Sequence, residues 1–245
     1  MTSKTKERIE RERDFHNEVF SNETRKAIKK YYKSTAQAKE YFQSEINKDI
    51  KNKKVLEFGC GIGSAVYSAA SKGGKATGID ISEVAINKSK DHAKSLDLDI
   101  NFQVMDAENL TFQDNNFDVV CGSGVLHHLD LEKSYSEITR VLRNNGKAVF
   151  IEPLGHNPII NLYRYLTPKM RTEDEHPLLM SDISMAQNYF GRIDIKYFNL
   201  FSTISTFIPA LSSTLNKFDD FIFKNLPYLR KYSWIVVLTF KNPIK

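Results

Sequence analysis

The sequence predicts an α/β fold built on a doubly wound, mostly parallel sheet. Two observations carry this expectation. From Lys53 onward, short apolar segments alternate with helical stretches, as strands joined by crossover helices do. A glycine-rich turn, "VLEFGCGIG" over 55–63, leads from the first of those strands into the first of those helices. A chain of 245 residues fits one large α/β domain, or one domain with appendages.

Each element has its own signal. Residues 5–50 carry Phe15, Val19, Ile28, Tyr31, Tyr32, Tyr41, Phe42 and Ile46 among charges, with no Pro or Gly. They are expected to form a helical arm over residues 1–50, ahead of a main domain over 51–245. Strands are expected at 54–58, 76–80, 100–105, 117–121 and 147–152, and helices near 64–72, 82–96 and 131–143. The motif "RNNGK" marks a turn before the fifth strand. A helix at 181–190 and a strand at 192–199 follow, then a second apolar stretch over 200–230. The closing "YSWIVVLTFKN" reads as a buried strand. No internal repeat or low-complexity tract interrupts the pattern.

Composition narrows the class. With 41% hydrophobic and 27% charged residues the chain can bury an ordinary core. Met1–Asp14 is densely charged without the apolar stretch of a signal peptide, and the run Trp234–Phe240 is far too short to span a bilayer. Cys60 and Cys121 cannot build a disulfide framework, so a reducing, cytoplasmic setting is expected. The net charge of +5 is uneven: residues 1–54 hold 15 basic against 9 acidic residues, and the remainder 20 against 21. The basic arm reads either as a solvated amphipathic helix or as a surface drawn to an anionic partner, a membrane included.

The chemistry-bearing residues gather at one end of the expected sheet. Gly59-x-Gly61-x-Gly63 lets backbone approach a ligand at a helix N-terminus, and an acid, Glu57, precedes the first glycine. The second strand ends in "GIDIS", placing Asp80 where a carboxylate accepts hydrogen bonds from ribose hydroxyls. The third ends in "VMDAENLTF", placing Asp106 where an adenine amino group donates. The fourth is "NFDVVCGSGVLHHL", and "ITRVLRNNGKAVFIEP" supplies the next helix, turn and strand. In open α/β sheets ligands sit beyond these carboxyl ends.

Taken in order over about residues 50–152, these motifs resemble the class I S-adenosylmethionine-dependent methyltransferases, of the small-molecule type. The resemblance implies a Rossmann-like sheet of seven strands, mostly parallel with the last antiparallel, "RIDIKYFNL" and "YSWIVVLTF" supplying strands six and seven. Residues 200–231 then form an insertion between them. It implies S-adenosyl-L-methionine as cofactor and S-adenosyl-L-homocysteine as product. Gly59, Gly61 and Gly63 would admit the methionine part, Asp80 the ribose, and Ile81, Asp106 and Ala107 the adenine. Glu57, Cys60 and Ser123 complete the cofactor side. "CGSGVLHH" stands where nucleic-acid amino methylases carry Asn/Asp-Pro-Pro-aromatic, and the arm lacks a stacking platform, so a small-molecule acceptor is expected and nucleic acid is not.

Methyl transfer from a sulfonium is an in-line displacement, so the protein's work is orientation and exclusion of water. A hydroxyl acceptor needs a base and a carboxylate does not. His127 and His128, after the fourth strand, with Glu152 at the end of the fifth, are the candidate catalytic residues. The competing reading has V-L-H-H simply packing the loop. No metal site is expected, because adjacent histidines do not share a helix face and no third ligand has matching spacing. The polar segment 152–178 is expected on the acceptor side, through His156, Arg164 and Arg171. The arm is expected as a lid, with Tyr31, Tyr32 and Phe42 excluding water. The apolar 200–230 stretch reads as a packed helix pair or dimer face, or as a wall for a lipophilic acceptor or membrane. The expected reaction is O-methylation of a hydroxyl or carboxyl group on a partly lipophilic metabolite. Two alternatives stand beside it: a catalytically silent cofactor-binding scaffold or sensor, and a nicotinamide-dependent oxidoreductase, which the G-x-G-x-G spacing opposes.

Overall fold

A computed structural model describes residues 3–21, 34–63, 65–167, 175–206 and 208–245. The sheet strands are β1 (Lys54–Phe58), β2 (Lys75–Asp80), β3 (Ile100–Val104), β4 (Phe117–Ser123), β5 (Leu142–Pro153), β6 (Phe190–Phe198) and β7 (Ile235–Pro243). Their order across the sheet is β3-β2-β1-β4-β5-β7-β6. β1 to β5 pair in parallel, and β7 runs antiparallel to both β5 and β6. This is the doubly wound, seven-stranded sheet that the sequence predicts.

Helices cover both faces, and the strands show why. Val55 and Leu56, Val119 and Val120, Val149 and Phe150, and Val237 and Leu238 are consecutive buried pairs whose members point to opposite sides. A strand buried on both faces reads as an unbroken apolar run. On one face, α5 (Leu131–Val141) and the short α7 (Met180–Met185) bury Tyr135, Ile138 and Ile183 against Phe58, Phe150 and Phe240. On the other, α2 (Ala36–Asn47) and α3 (Ala65–Ser71) bury Phe42, Ile46, Ala65 and Ala69 against Val55, Val149 and Val237. α4 (Glu83–Ser95) follows β2 and is capped by Ser82, whose hydroxyl accepts from the Ala85 N–H at 3.1 Å.

Three expectations change. The arm divides into α1 (Ser3–Ser21) and α2, with residues 22–33 outside the described set. α2 belongs to the core layer, and Phe42 is 2% exposed within it, so it is not a lid residue. The "RNNGK" turn is instead a bulge: α5 passes directly into β5 at Leu142, which pairs with Phe117, and the next pair is Val119 with Lys147. Gly146 fits this bulge because a Cβ there would lie 2.9 Å from the carbonyl oxygens of Arg143 and Asp118. The helix expected at 181–190 ends at Met185, gives way to a 3₁₀ turn over Ala186–Asn188, and yields to β6 at Phe190.

Beyond β5 comes α6 (Pro158–Leu166), whose N-cap is Asn157. Between β6 and β7 lie 3₁₀ turns and α8 (Ser212–Asn225). Buried Asp219 on α8 accepts from the N–H groups of Leu200, Phe201 and Ser202 at 2.8–3.1 Å, which ties the insertion to the end of β6. Among the described residues no helix is long and apolar enough to cross a membrane.

The place of α2 in the core is directly testable. Phe42→Ala is expected to lower the free energy of unfolding by about 3–5 kcal/mol, measured by denaturant titration. A loss of a few tenths of a kcal/mol would put α2 outside the cooperative core.

Candidate functional site

The glycine turn after β1 is held by two acids. Glu57 is buried at the end of β1, and its Oε2 accepts from the Val66 N–H at 3.0 Å, in the first turn of α3. A carboxylate there satisfies a helix N–H that has no partner within the helix. Burial pushes the Glu57 carboxyl up to about 7, opposed by the Val66 and Ala65 N–H groups. Asp80, at the end of β2, accepts from the Gly61 N–H through Oδ2 and from the Ser82 N–H through Oδ1, each at 2.8 Å. Each oxygen keeps a second lone pair for a ligand. Gly59 sits at φ +55°, and a Cβ there would lie 2.7 Å from Val125, so both conformation and space demand glycine.

Beside this turn is a cavity of about 430 Å³ at the carboxyl edge of the sheet. Its lining includes all ten residues assigned to the cofactor side: Glu57, Gly59, Cys60, Gly61 and Gly63 from the turn, Asp80 and Ile81 beyond β2, Asp106 and Ala107 beyond β3, and Ser123 at the end of β4. Burial raises the Asp106 carboxyl above its ordinary range, while its Oδ1 accepts from the Glu108 N–H at 2.9 Å. Burial likewise pushes both the Cys60 and Cys121 thiols up, so neither offers a thiolate nucleophile.

The candidate catalytic trio separates. Glu152 is fully buried and does not line the cavity. Its Oε1 accepts from the N–H groups of Val125 and Leu126, each at 2.9 Å, and its Oε2 lies 2.7 Å from His127 Nδ1. His127, 7% exposed, is also off the cavity, and its backbone carbonyl accepts from the His176 N–H. These two residues brace the loop after β4. His128 alone of the trio lines the cavity. Burial lowers its pKa, opposed by Glu12, so the neutral imidazole prevails.

Two of the acceptor-side residues, His156 and Arg164, are described and do not line this cavity. Among the described residues, no part of 152–178 or of the 200–231 insertion lines the cavity. His156 Nε2 accepts from the Met180 N–H at 3.3 Å, and Arg164 donates to Glu175 at 2.9 Å, so both organise their own segment. Arg171, Tyr31 and Tyr32 lie outside the described residues. What closes the cavity instead is α1, through Arg8, Ile9, Glu12, His16 and Phe20. Arg8 donates to the His128 carbonyl at 2.8 Å and pairs with Glu108, and Asn17 bonds the Ser82 hydroxyl at 2.6 Å. The signal for this face was in the sequence: positions 9, 12, 16 and 20 recur at helical spacing, and the two polar members share a stripe with the apolar ones. Glu12 and His16 also place two further ligand-type side chains beside His128, which the spacing of the histidine pair alone did not reveal.

Residues 56–150 match the family model of the methyltransferase domain. The ubiquinone biosynthesis O-methyltransferase of Coxiella burnetii (strain Dugway 5J108-111) is 33% identical over 111 residues, 45% of this chain and 47% of that protein. The chloroplastic tocopherol O-methyltransferase of Arabidopsis thaliana is 36% identical over 105 residues, 41% of this chain and 30% of that one. The chain thus spans less than half the length of these curated relatives. Among solved structures, the magnesium protoporphyrin IX methyltransferase of Synechocystis PCC 6803 with bound SAH superposes with a TM-score of 0.62 at 15% identity, covering 93% of this chain and 96% of that one. At that identity the likeness is one of fold.

Two consequences follow from the buried acids. Glu152→Ala strands two backbone donors and His127, and is expected to reduce stability by about 3–5 kcal/mol. Glu152→Gln, which keeps an acceptor for the backbone pair, should lose clearly less; equal losses in thermal and denaturant unfolding would contradict the brace. Glu57 has its pKa raised in the folded state, so its contribution is fully present below about 4.5 and is lost as pH rises through about 7. The melting temperature of the wild-type protein should therefore fall more across that window than that of Glu57→Gln. Parallel curves would show that Glu57 does not titrate there.

Proposed function

Starting from a class I methyltransferase domain carried by residues 56–150, we propose that this chain transfers the methyl group of S-adenosyl-L-methionine to a small-molecule acceptor, with oxygen as the methylated atom. The observation that carries the reading is the meeting of the glycine turn with Asp80 and Asp106 on successive strand ends in one cavity. The turn offers room for the methionine moiety at a helix start. Asp80 keeps lone pairs for ribose hydroxyls, and Asp106 with Ala107 faces the adenine position. S-adenosyl-L-homocysteine leaves as the product.

The cofactor supplies the leaving group, so the residues around it have three tasks. α1 excludes water by covering the cavity mouth. Ile9, Phe20, Val125 and Leu129 give the wall an apolar side that suits a partly lipophilic acceptor. The names of the relatives, in ubiquinone biosynthesis and tocopherol O-methylation, support that acceptor class and an O-directed transfer. His128 is the imidazole placed to receive a hydroxyl proton as the O–CH₃ bond forms and the S–CH₃ bond breaks, and its burial keeps it in the accepting, neutral form. A carboxylate acceptor would need no such step.

The test combines binding with turnover. The protein should bind S-adenosyl-L-homocysteine and not NADH by calorimetry, and should pass a labelled methyl group to a component of a metabolite extract. Asp80→Ala should weaken S-adenosyl-L-homocysteine by at least about tenfold, since hydrogen bonds to a charged group contribute roughly 1.5–3 kcal/mol each. His128→Ala should lose turnover on a hydroxyl acceptor with cofactor affinity nearly unchanged. Binding of NADH in place of S-adenosyl-L-homocysteine would overturn the reading, and binding without any turnover would leave a cofactor-sensing scaffold.

A further inference from the structure

We propose that Glu12, His16 and His128 form a binding site for a divalent first-row transition ion in the cavity wall, completed only when α1 is seated. One donor atom from each of the three lies within 4.8 Å of the other two. Glu12 Oε2 is 3.5 Å from His16 Nε2 and 3.3 Å from His128 Nδ1. Both separations exceed the usual 2.7–3.2 Å of an N–H···O bond, which run at about 2.9 Å. Among the described residues, His128 Nδ1 is buried without a hydrogen-bond partner. The same separations match the edges of a coordination tetrahedron, because ligand bonds of about 2.0–2.1 Å put neighbouring donors roughly 3.3–3.4 Å apart.

The donor chemistry agrees with the geometry. Two imidazole nitrogens and one carboxylate oxygen suit Zn²⁺, Co²⁺ or Fe²⁺ better than Mg²⁺ or Ca²⁺, which take oxygen ligands. A neighbouring set, His127, His128 and Glu175, also falls within ligand range. In that set Glu175 is already engaged by Arg164 at 2.9 Å, and neither Glu175 nor His127 lines the cavity. Glu12, His16 and His128 all line the cavity, so an ion held by three protein ligands keeps an open position toward its interior. The matched fourth ligand is an acceptor's hydroxyl or carboxylate oxygen. With an acceptor's hydroxyl as that ligand, the ion would lower the hydroxyl's pKa and the proton would pass to solvent water instead of to the imidazole.

The proposal is independent of methyl transfer and is tested without donor or acceptor. The full chain, stripped with a chelator and dialysed, is titrated with Co²⁺ and followed by its visible absorption, then with Zn²⁺ in competition. Saturable uptake of one ion per chain is expected, with the intense bands of low coordination number. Glu12→Gln, His16→Ala and His128→Ala should each weaken uptake by at least about 10–100-fold, the range that even the loss of an outer-sphere partner produces. Glu175→Gln should leave uptake unchanged. Each variant is checked for wild-type melting in chelator, with His16→Gln replacing His16→Ala if that variant does not fold. No saturable uptake by the wild type, uptake indifferent to Glu12→Gln and the His16 variant, or uptake abolished by Glu175→Gln would each overturn the site.

Discussion

Glu152, fully buried at the end of β5, takes hydrogen bonds from the Val125 and Leu126 N–H groups and holds His127 at 2.7 Å. Three groups at the turn after β4 thereby find partners away from water, where an unpaired one would be costly. The turn's shape then governs its neighbours. Val125 packs so close to Gly59 that no side chain fits there, which couples the β4 loop to the glycine turn of β1. His128, its ring 4.2 Å from that of His127, is left facing the cavity. One carboxylate at a strand end thus sets the positions of two walls.

The third wall comes from outside the sheet. α1 and α2 are both amphipathic but serve different ends. α2 buries Phe42 and Ile46 against the sheet, and α1 lies over its carboxyl edge. α1 is held there by polar contacts on the rim, Arg8 to Glu108 and the His128 carbonyl, and Asn17 to Ser82. Ile9 and Phe20 add apolar burial to these contacts.

Described residues in the segments after the sheet's fifth strand bond to one another. Arg164 and Glu175 pair with each other, His156 accepts from Met180, and Asp219 gathers the backbone at the end of β6. Nothing in the linear sequence shows these partners. Phe221 and Tyr228 remain largely exposed on the insertion, away from the cavity.

The sheet and the cofactor-side residues were legible in the sequence because both depend on local patterns. Apolar runs of strand length, a strand–glycine–helix turn, and acids at successive strand ends such as Asp80 and Asp106 need only chain order to be placed, since a parallel crossover fold puts every such end on one edge. Which groups meet across that edge was not legible. Glu152 and His127 are 25 residues apart and His128 and Glu12 are 116 apart, and no periodicity relates them. The sequence by itself determined the fold class and the residues that gather around the cavity at the sheet's carboxyl edge. Only the tertiary structure decided that Glu152 braces a loop, that α1 covers the cavity, and that Glu12 and His16 stand beside His128. Burial and long-range contact settle the role of a polar side chain, and both exist only once the chain has packed.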